Sequence, residues 1–404
     1  MNNSPPVPQP SQPEADPLLG GVPAGRGGSL ASALPVVAER SRSQSVYAAD
    51  NLLSLRNLSL EFRTRTGTVS ALENISFHIN PGETIGIVGE SGSGKSVLAL
   101  AIMGILDPAA HITSGEILWH TPTNQQRTSQ QRTSQQRTDQ QLADTYDLLK
   151  MPEKKLRALR GKALSMIFQT PRTALNPIRK VGKQIVDVLR CHTPLPKAQL
   201  KQRALALLTS VKIPDPQQRY NAYPYELSGG LCQRIMIALA IACSPKLLIA
   251  DEPTTGLDVT TQATVMNLLN SLTTEQQMAT VVITHDLALA SEYCDRILVM
   301  HAGHLIESAA TRTLFQSPAH PYTAKLIAAT PEPHKGFDDL VPILGNLPDL
   351  RREDLPPCRF ISRCDRATEH CSQTPLQRQQ LTKSHQVACW HPISPNGPGG
   401  INDE

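Results

Sequence analysis

The sequence predicts an α/β fold, and three observations predict it. Apolar runs of strand length alternate with amphipathic, helix-length stretches from Leu53 to about Thr330, the pattern of a sheet covered by helices. Three of those runs, Thr84–Val88, Lys246–Ala250 and Thr280–Thr284, are each followed at once by residues that carry chemistry. The first also leads through a glycine-rich turn into an apolar helical stretch, Val97 to Ile102.

That turn, Gly89-Glu90-Ser91-Gly92-Ser93-Gly94-Lys95-Ser96, fits the phosphate-loop pattern G-x-x-x-x-G-K-[ST]. Gly89, Gly92 and Gly94 let successive backbone N–H groups curl around a polyphosphate, which a Cβ would obstruct. Lys95 reaches the β- and γ-phosphates, and the Ser96 hydroxyl is placed to ligate Mg²⁺. The helix behind the loop favours anions at its N-terminus. A chance glycine-rich turn would lack this order of strand, loop, Lys-Ser and helix. The chain is expected to bind a nucleoside triphosphate.

The second run ends in Asp251-Glu252. Asp251 suits a Mg²⁺ ligand at a strand's end, and Glu252 is placed to orient or deprotonate the attacking water. Acidic pairs after strands are common, so their weight comes from the company they keep. The third run delivers His285 and Asp286. A lone histidine at a strand end is more often structural. Following a phosphate loop and a carboxylate strand, this one reads as functional.

Between these elements lies Leu227-Ser228-Gly229-Gly230, after Tyr223-Pro224-Tyr225-Glu226 and before Gln233-Arg234 and the helical run Ile235 to Cys243. Physically it is a second helix N-terminus with a hydroxyl and free glycine N–H groups, another anion site. The stretch resembles the signature motif of ATP-binding-cassette (ABC) ATPases. The resemblance implies a phosphate-loop NTPase cassette over residues 53–330, with a RecA-like core plus a helical signature subdomain. It also implies that Ser228, Gly229 and Gly230 cap the ATP of a partner subunit in a head-to-tail dimer. Gln169, in Met166-Ile167-Phe168-Gln169, resembles the Q-loop glutamine that senses Mg²⁺ and the water. Gly256-Leu257-Asp258 resembles the D-loop, and His285 the switch histidine at the γ-phosphate. The sequence departs from the signature at Leu231, where Gln or Met is usual, and at Cys232, where Arg is frequent. Phe62 is the nearest candidate for stacking on adenine, and it reads equally as a core residue of the strand Leu58–Phe62.

Composition sets the outer limits. A chain of 404 residues, 40% hydrophobic, can bury a large core or two to three ordinary ones. A net charge of +4 without any sustained basic run gives no footprint for nucleic acid. The longest apolar run, Ile235 to Cys243, falls far short of the roughly 20 residues that span a bilayer. Met1 to Pro6 has neither a basic nor an apolar leader region, so the chain is expected on the cytoplasmic side, peripheral to any membrane it serves.

Residues 1–50, rich in Pro and Gly, read as a disordered extension, and 51–330 as the cassette. Within it, residues 125–141 repeat the polar unit Gln-Gln-Arg-Thr-Ser, a low-complexity insertion with no apolar stripe, read as a surface loop. Leu175-Asn176-Pro177 after Gln169, Tyr223-Pro224-Tyr225-Glu226 before the signature, and His320-Pro321-Tyr322-Thr323 after the core resemble one branch of the family. They are similar to the ATP-binding subunits of oligopeptide/dipeptide importers, relatives of which carry nickel or glutathione. That branch often has His where Tyr225 stands.

Residues 331–404 read as a small Cys-rich C-terminal extension. Cys358, Cys364, Cys371 and Cys389 cluster there, whereas Cys191, Cys232, Cys243 and Cys294 are scattered through the core as small hydrophobes. In a cytoplasmic chain four gathered thiols point to a metal: Zn²⁺, an iron–sulfur cluster, or neither if they are merely structural. Pro342–Pro348 followed by Cys-x-Phe-x-x-Arg-Cys resembles the C-terminal extension of peptide-importer ATPases, some of which hold a [4Fe–4S] cluster. His385 and His391 flank Cys389 and keep zinc open. Far from the phosphate loop in sequence, this tail is expected to be independent of nucleotide binding.

The resemblance thus implies an ATPase subunit of a peptide importer, using ATP and Mg²⁺. It would pair with a paralogous ATPase, dock under two membrane permeases and be fed by a substrate-binding protein. A soluble, non-transport ABC ATPase is the first rival, yet this chain has neither a second cassette nor basic arms. A binding module that no longer hydrolyses ATP is the second, and Lys95, Asp251, Glu252 and His285 together oppose it. The cargo stays open among dipeptides, longer peptides, nickel chelates and glutathione.

Overall fold

The computed structural model describes residues 51–65, 67–121, 145–331 and 341–393. The extension expected over 1–50 and the repeat at 125–141 lie outside the described residues. Strands β1 (Leu53–Thr64) and β2 (Gly67–Ile79) form an antiparallel hairpin, and β3 (Thr84–Val88) then leads into the helix Lys95–Met103. Strands β4 (Ala110–His120) and β5 (Thr145–Asp147) return to the hairpin, giving a four-stranded sheet in the order β2-β1-β4-β5. Next come β6 (Leu164–Ile167), β7 (Leu247–Asp251), β8 (Ala279–Thr284), β9 (Arg296–His301) and β10 (His304–Ala310), and later β11 (Gln379–Thr382) and β12 (His385–Val387). With β3 these strands build an eight-stranded sheet in the order β11-β12-β10-β9-β3-β8-β7-β6.

The five strands from β9 to β6 in that order are parallel, as the unbroken apolar runs require. Ile85, Ile87, Ile249 and Ile283 enter one buried cluster, and Val88, Leu248, Ala250 and Val282 another. Each buried Ile, Leu or Val side chain contributes on the order of 1.5–3 kcal/mol. The first cluster lies against the antiparallel sheet, and the second includes residues of the helical subdomain inserted between β6 and β7. That subdomain holds the helices Val181–His192, Lys197–Ser210 and Gly229–Ile241. Val181, Ile185 and Leu189 form the buried stripe of the first. A Cβ on Gly182 would stand 2.1 Å from the Tyr220 ring, so glycine lets these segments close together.

Parallel pairing fixes where the chemistry goes. Val88 is level with Thr284, Ile283 with Asp251, and Ala250 with Ile167. The residues that follow β3, β8, β7 and β6 therefore share one sheet edge, the carboxyl edge at which open α/β sheets bind ligands.

The C-terminal residues are not a detached cap. Strand β12 pairs with β10, with Glu307 opposite Val387, so the tail completes the antiparallel side of the main sheet. A boundary near residue 330 is thus crossed by main-chain hydrogen bonding. Strands of four and three residues, Gln379–Thr382 and His385–Val387, carry too little periodicity to announce this.

Candidate nucleotide site

The phosphate loop closes tightly against its neighbours. Gly89 has φ +152° and Gly94 φ +99°; a Cβ would meet Met300 O at 2.1 Å on the first and Ala71 O at 2.9 Å on the second. Only glycine fits either position. Lys95 is buried, and its Nζ donates to the carbonyls of Gly89 (2.8 Å) and Glu90 (2.9 Å). Burial pushes the Lys95 pKa down, while Glu252, Asp251 and Glu90 oppose that shift. The ammonium thus sits in the loop's own cradle, with carboxylates around it.

Ser96 Oγ donates to Asp251 Oδ1 at 3.1 Å, which brings the two expected Mg²⁺ ligands together from residues 155 apart. Burial raises the Asp251 pKa, the Ser96 hydroxyl lowers it, and Glu252 adds to the rise. Its neighbour behaves oppositely. Burial pushes the Glu252 carboxyl up, but hydrogen bonds from Thr255 and Gln169, with His285 nearby, outweigh it and hold it below the usual range. Gln169 Nε2 and Thr255 Oγ1 each donate to Glu252 Oε2 at 2.8 Å, and His285 Nδ1 lies 3.5 Å from Oε1. Glu252 adopts φ +45°, a left-handed conformation unusual for a non-glycine residue, while its N–H donates to Ile283 O at 2.9 Å.

Four expected residues, Gln169, Asp251, Glu252 and His285, therefore meet around the loop. Ser228, Gly229 and Gly230 do not join them. Ser228 caps the helix Gly229–Ile241, its Oγ accepting from Leu231 N at 3.4 Å. Nothing lies within 4 Å of a Cβ built on Gly229, whereas one on Gly230 would stand 3.3 Å from the Thr261 side chain, so this N-terminus is open at Ser228 and Gly229. The departure at Cys232 is a packing choice: the residue is fully buried and its thiol donates to Pro224 O at 3.4 Å. Asp258 caps the helix Val259–Glu275 through Thr261 N at 2.9 Å. Phe62 pairs with Val69 and Ala110 and packs, half-buried, on the cluster beneath the antiparallel sheet, in keeping with its core-strand reading.

Comparison with known proteins agrees with this geometry. Residues 72–255 match the ABC transporter family model, and residues 306–371 match the model described as the oligopeptide/dipeptide transporter C-terminal region. The chain is 41% identical over 346 residues to the oligopeptide transport ATP-binding protein OppD of Escherichia coli, covering 85% of this chain and 94% of that protein. It is 42% identical over 347 residues to the dipeptide transport ATP-binding protein DppD of Haemophilus influenzae, covering 86% and 97%. The chain belongs to the ABC transporter ATP-binding proteins. It is an ATPase of that family, for which ATP and Mg²⁺ are the expected nucleotide and ion. A solved relative in fold is the dimeric cassette MJ0796 bound to ADP and Pi, 25% identical, with a TM-score of 0.53 over 64% of this chain and 99% of that one. Among the described residues no helix is long and apolar enough to cross a membrane.

The tail cysteines gather as expected. Cys358, Cys364, Cys371 and Cys389 line one narrow cavity, with Trp390 and His391 at its wall. Burial raises the Cys358 thiol to about 12 and the Cys389 thiol to about 11, and the neighbouring cysteines push the same way. Among the described residues no group of three or more His, Cys, Asp or Glu is arranged to hold a metal ion.

The site also holds contacts that no motif announces. Arg363 of the tail pairs with Glu90 of the phosphate loop, and the Glu90 N–H donates to Tyr322 Oη at 3.1 Å. Arg359 of the tail bonds Glu73, Ser70 Oγ and the Ala302 carbonyl. The tail, expected to be independent of nucleotide binding, thus touches the phosphate loop directly. A Cys-x-Phe-x-x-Arg-Cys string signals the arginine, but nothing local names its partner.

Proposed function

We propose that this chain is the subunit whose ATP binding and hydrolysis energise peptide import through an ABC transporter. The observation that carries it is the gathering of Lys95, Ser96-Asp251 and Gln169-Glu252-His285 at one sheet edge. The peptide reading is supported by the names of the relatives and by the matching C-terminal region. Dipeptides, longer peptides and related cargos such as nickel chelates or glutathione are chosen by other chains.

Ser96 and Asp251, with Gln169 near, would hold Mg²⁺, which when bound would supply positive charge beside the polyphosphate. Lys95 exchanges its loop carbonyls for those oxygens. Glu252, ionised because its hydrogen bonds outweigh burial, accepts a proton from water and aligns it for in-line attack. His285, with its side chain 64% exposed, is free to swing from Glu252 to the γ-phosphate. The helix N-terminus at Ser228–Gly230, open at Ser228 and Gly229, supports closure over a paralogous partner's ATP. Val259, 81% exposed beside Asp258, and Ile178, 86% exposed at the helical subdomain, are apolar contacts for that partner and for one of two permeases. The protein would then lie peripherally on the inner face of the membrane, with a substrate-binding protein acting beyond it.

For the tail we propose a [4Fe–4S] cluster on Cys358, Cys364, Cys371 and Cys389. Four thiols lining one cavity support it, and zinc and an unmetallated thiol group are the alternative outcomes. Such a cluster would act as a staple or a redox-responsive group.

Glu252→Gln tests the ATPase reading. Size is kept and the base is lost, so turnover should fall at least ~10²-fold while ATP still binds and the closed dimer accumulates. Parental turnover in the assembled transporter would remove Glu252 from this role.

A further inference from the structure

The cysteine-rich tail reaches the phosphate loop through one side chain. Arg363 ends the short turn Ile361–Arg363, between Cys358 and Cys364. Its Nη1 and Nη2 donate to Glu90 Oε2 and Oε1 at 2.7 Å each, a two-pronged pair in which the arginine side chain is 3% exposed. Arg363 Nε donates to Leu344 O at 3.0 Å, and the guanidinium carbon lies 5.7 Å from the Phe360 ring centre. The fork is therefore fixed from three sides. Phe360, His301 and Tyr322 make edge contacts beneath it.

Glu90 is held at every polar group. Its N–H donates to Tyr322 Oη, its carbonyl accepts from Lys95 Nζ, and its carboxylate accepts from Arg363. One continuous path thus runs from the cysteine turn through Arg363 and Glu90 to the lysine that meets the phosphates. Leu347 of the tail also lies over the loop, its Cδ1 3.5 Å from where a Cβ of Gly92 would stand.

Charge gives this path a consequence. Glu90 is a carboxylate within a loop that has to receive a polyphosphate, and it already acts electrostatically on Lys95. Unpaired, it would repel phosphate oxygens. Clamped by a buried guanidinium, it is neutralised and cannot turn inward. We infer that Arg363 is a positioning residue of the nucleotide site, which neutralises and fixes Glu90 so that the loop is ready for ATP only when the tail is folded onto the cassette. The inference rests on the nucleotide-site reading above but not on what the four thiols hold.

A mere anchor would behave differently, and the tail has one for comparison. Arg378 donates to the backbone carbonyls of Asn74 and Ser76, away from Glu90. The test measures the affinity of the full-length chain for a fluorescent Mg–ATP analogue, alongside thermal melting. Arg363→Ala should weaken binding on the order of tenfold, the scale of one uncompensated charge beside the phosphates. Adding Glu90→Gln to that variant should restore affinity to within about twofold, because the repelling charge is gone. Arg378→Ala should leave affinity unchanged even if it lowers the melting temperature. Should Arg363→Ala not fold, Arg363→Lys, which keeps the charge but loses the fork, carries the same comparison at smaller amplitude. Parental affinity in the folded Arg363 variant overturns the proposal, as does failure of Glu90→Gln to rescue or equal weakening by Arg378→Ala. Absence of binding in the parent chain would instead sink the nucleotide-site reading itself.

Discussion

The nucleotide site and the cysteine site both gather ligating side chains, yet they are held in opposite ways. Asp251 ends a parallel strand and Gln169, Glu252 and His285 follow such strands, so the strand register brings them to one edge. Cys358, Cys364 and Cys371 sit on bends and a five-residue helix, and Cys389 lies just beyond the three-residue β12, in a stretch whose regular structure is sparse. Their segment is tied down from outside, by Arg359 on Glu73, Arg363 on Glu90, and Glu307 beneath β12. A site built on a sheet edge inherits its geometry from many small backbone terms. A site on turns depends on a few strong, buried polar contacts, and each of those is a point of failure.

Replacing Cys364 with Ser is the largest test of that contrast. Protein purified without oxygen should be brown, with iron and sulfide at about four per chain, and the variant should lose the colour entirely. ATP affinity should fall by no more than Arg363→Ala costs, since the cysteine acts on the loop only through its neighbour. Colourless parent protein with stoichiometric zinc would replace the cluster by a zinc site. Loss of ATP binding as complete as the loss of colour would mean the two sites are one unit, and the contrast would collapse.

Glu307→Ala should have a smaller but still large effect. The Glu307 side chain is fully buried and accepts from Ala319 N (2.7 Å), His320 N (2.8 Å) and His385 Nε2 (2.8 Å). Its removal strands two amides and an imidazole, at a cost of about 3–5 kcal/mol. Hydrogen exchange should show β11 and β12 losing protection while β3, β7 and β8 keep theirs. Uniform loss across the sheet would show that the hairpin belongs to the cassette's cooperative core.

The same contrast explains what could be read in the sequence. The phosphate loop, the Asp251-Glu252 pair and His285 were legible because each is contiguous and each sits where an apolar strand stops. Their mutual contacts followed from the parallel order. Arg363 was visible as a residue, but its meaning lies 273 positions away at Glu90, and that of Arg359 lies 286 away at Glu73. No periodicity links such pairs; only the fold does. Glu307, in a strand that also carries His304 and Ser308, gave no sign in the sequence of its burial or of its donors. The departure at Cys232 was legible only as a deviation, and its packing inward on Pro224 needed the structure.

The smallest effect is expected from deleting residues 125–141. Strands β4 and β5 on either side pair directly, with His120 opposite Thr145 and Leu118 opposite Asp147, so the segment leaves and re-enters the sheet at adjacent points. Residues 121–124 and 142–144 would remain between the strands, seven in all, well below the ~12–15 residues above which connections become uncommon. Shortening the connection lowers its closure cost by ~1 kcal/mol, and removal of a polar repeat sacrifices little apolar burial. Melting temperature and nucleotide affinity should therefore stay at parental values or rise slightly. The antiparallel sheet would then count with the nucleotide site, as geometry secured by strand pairing. Marked loss of either quantity would mean that the repeat packs on the cassette and holds it from outside, as the arginines hold the tail.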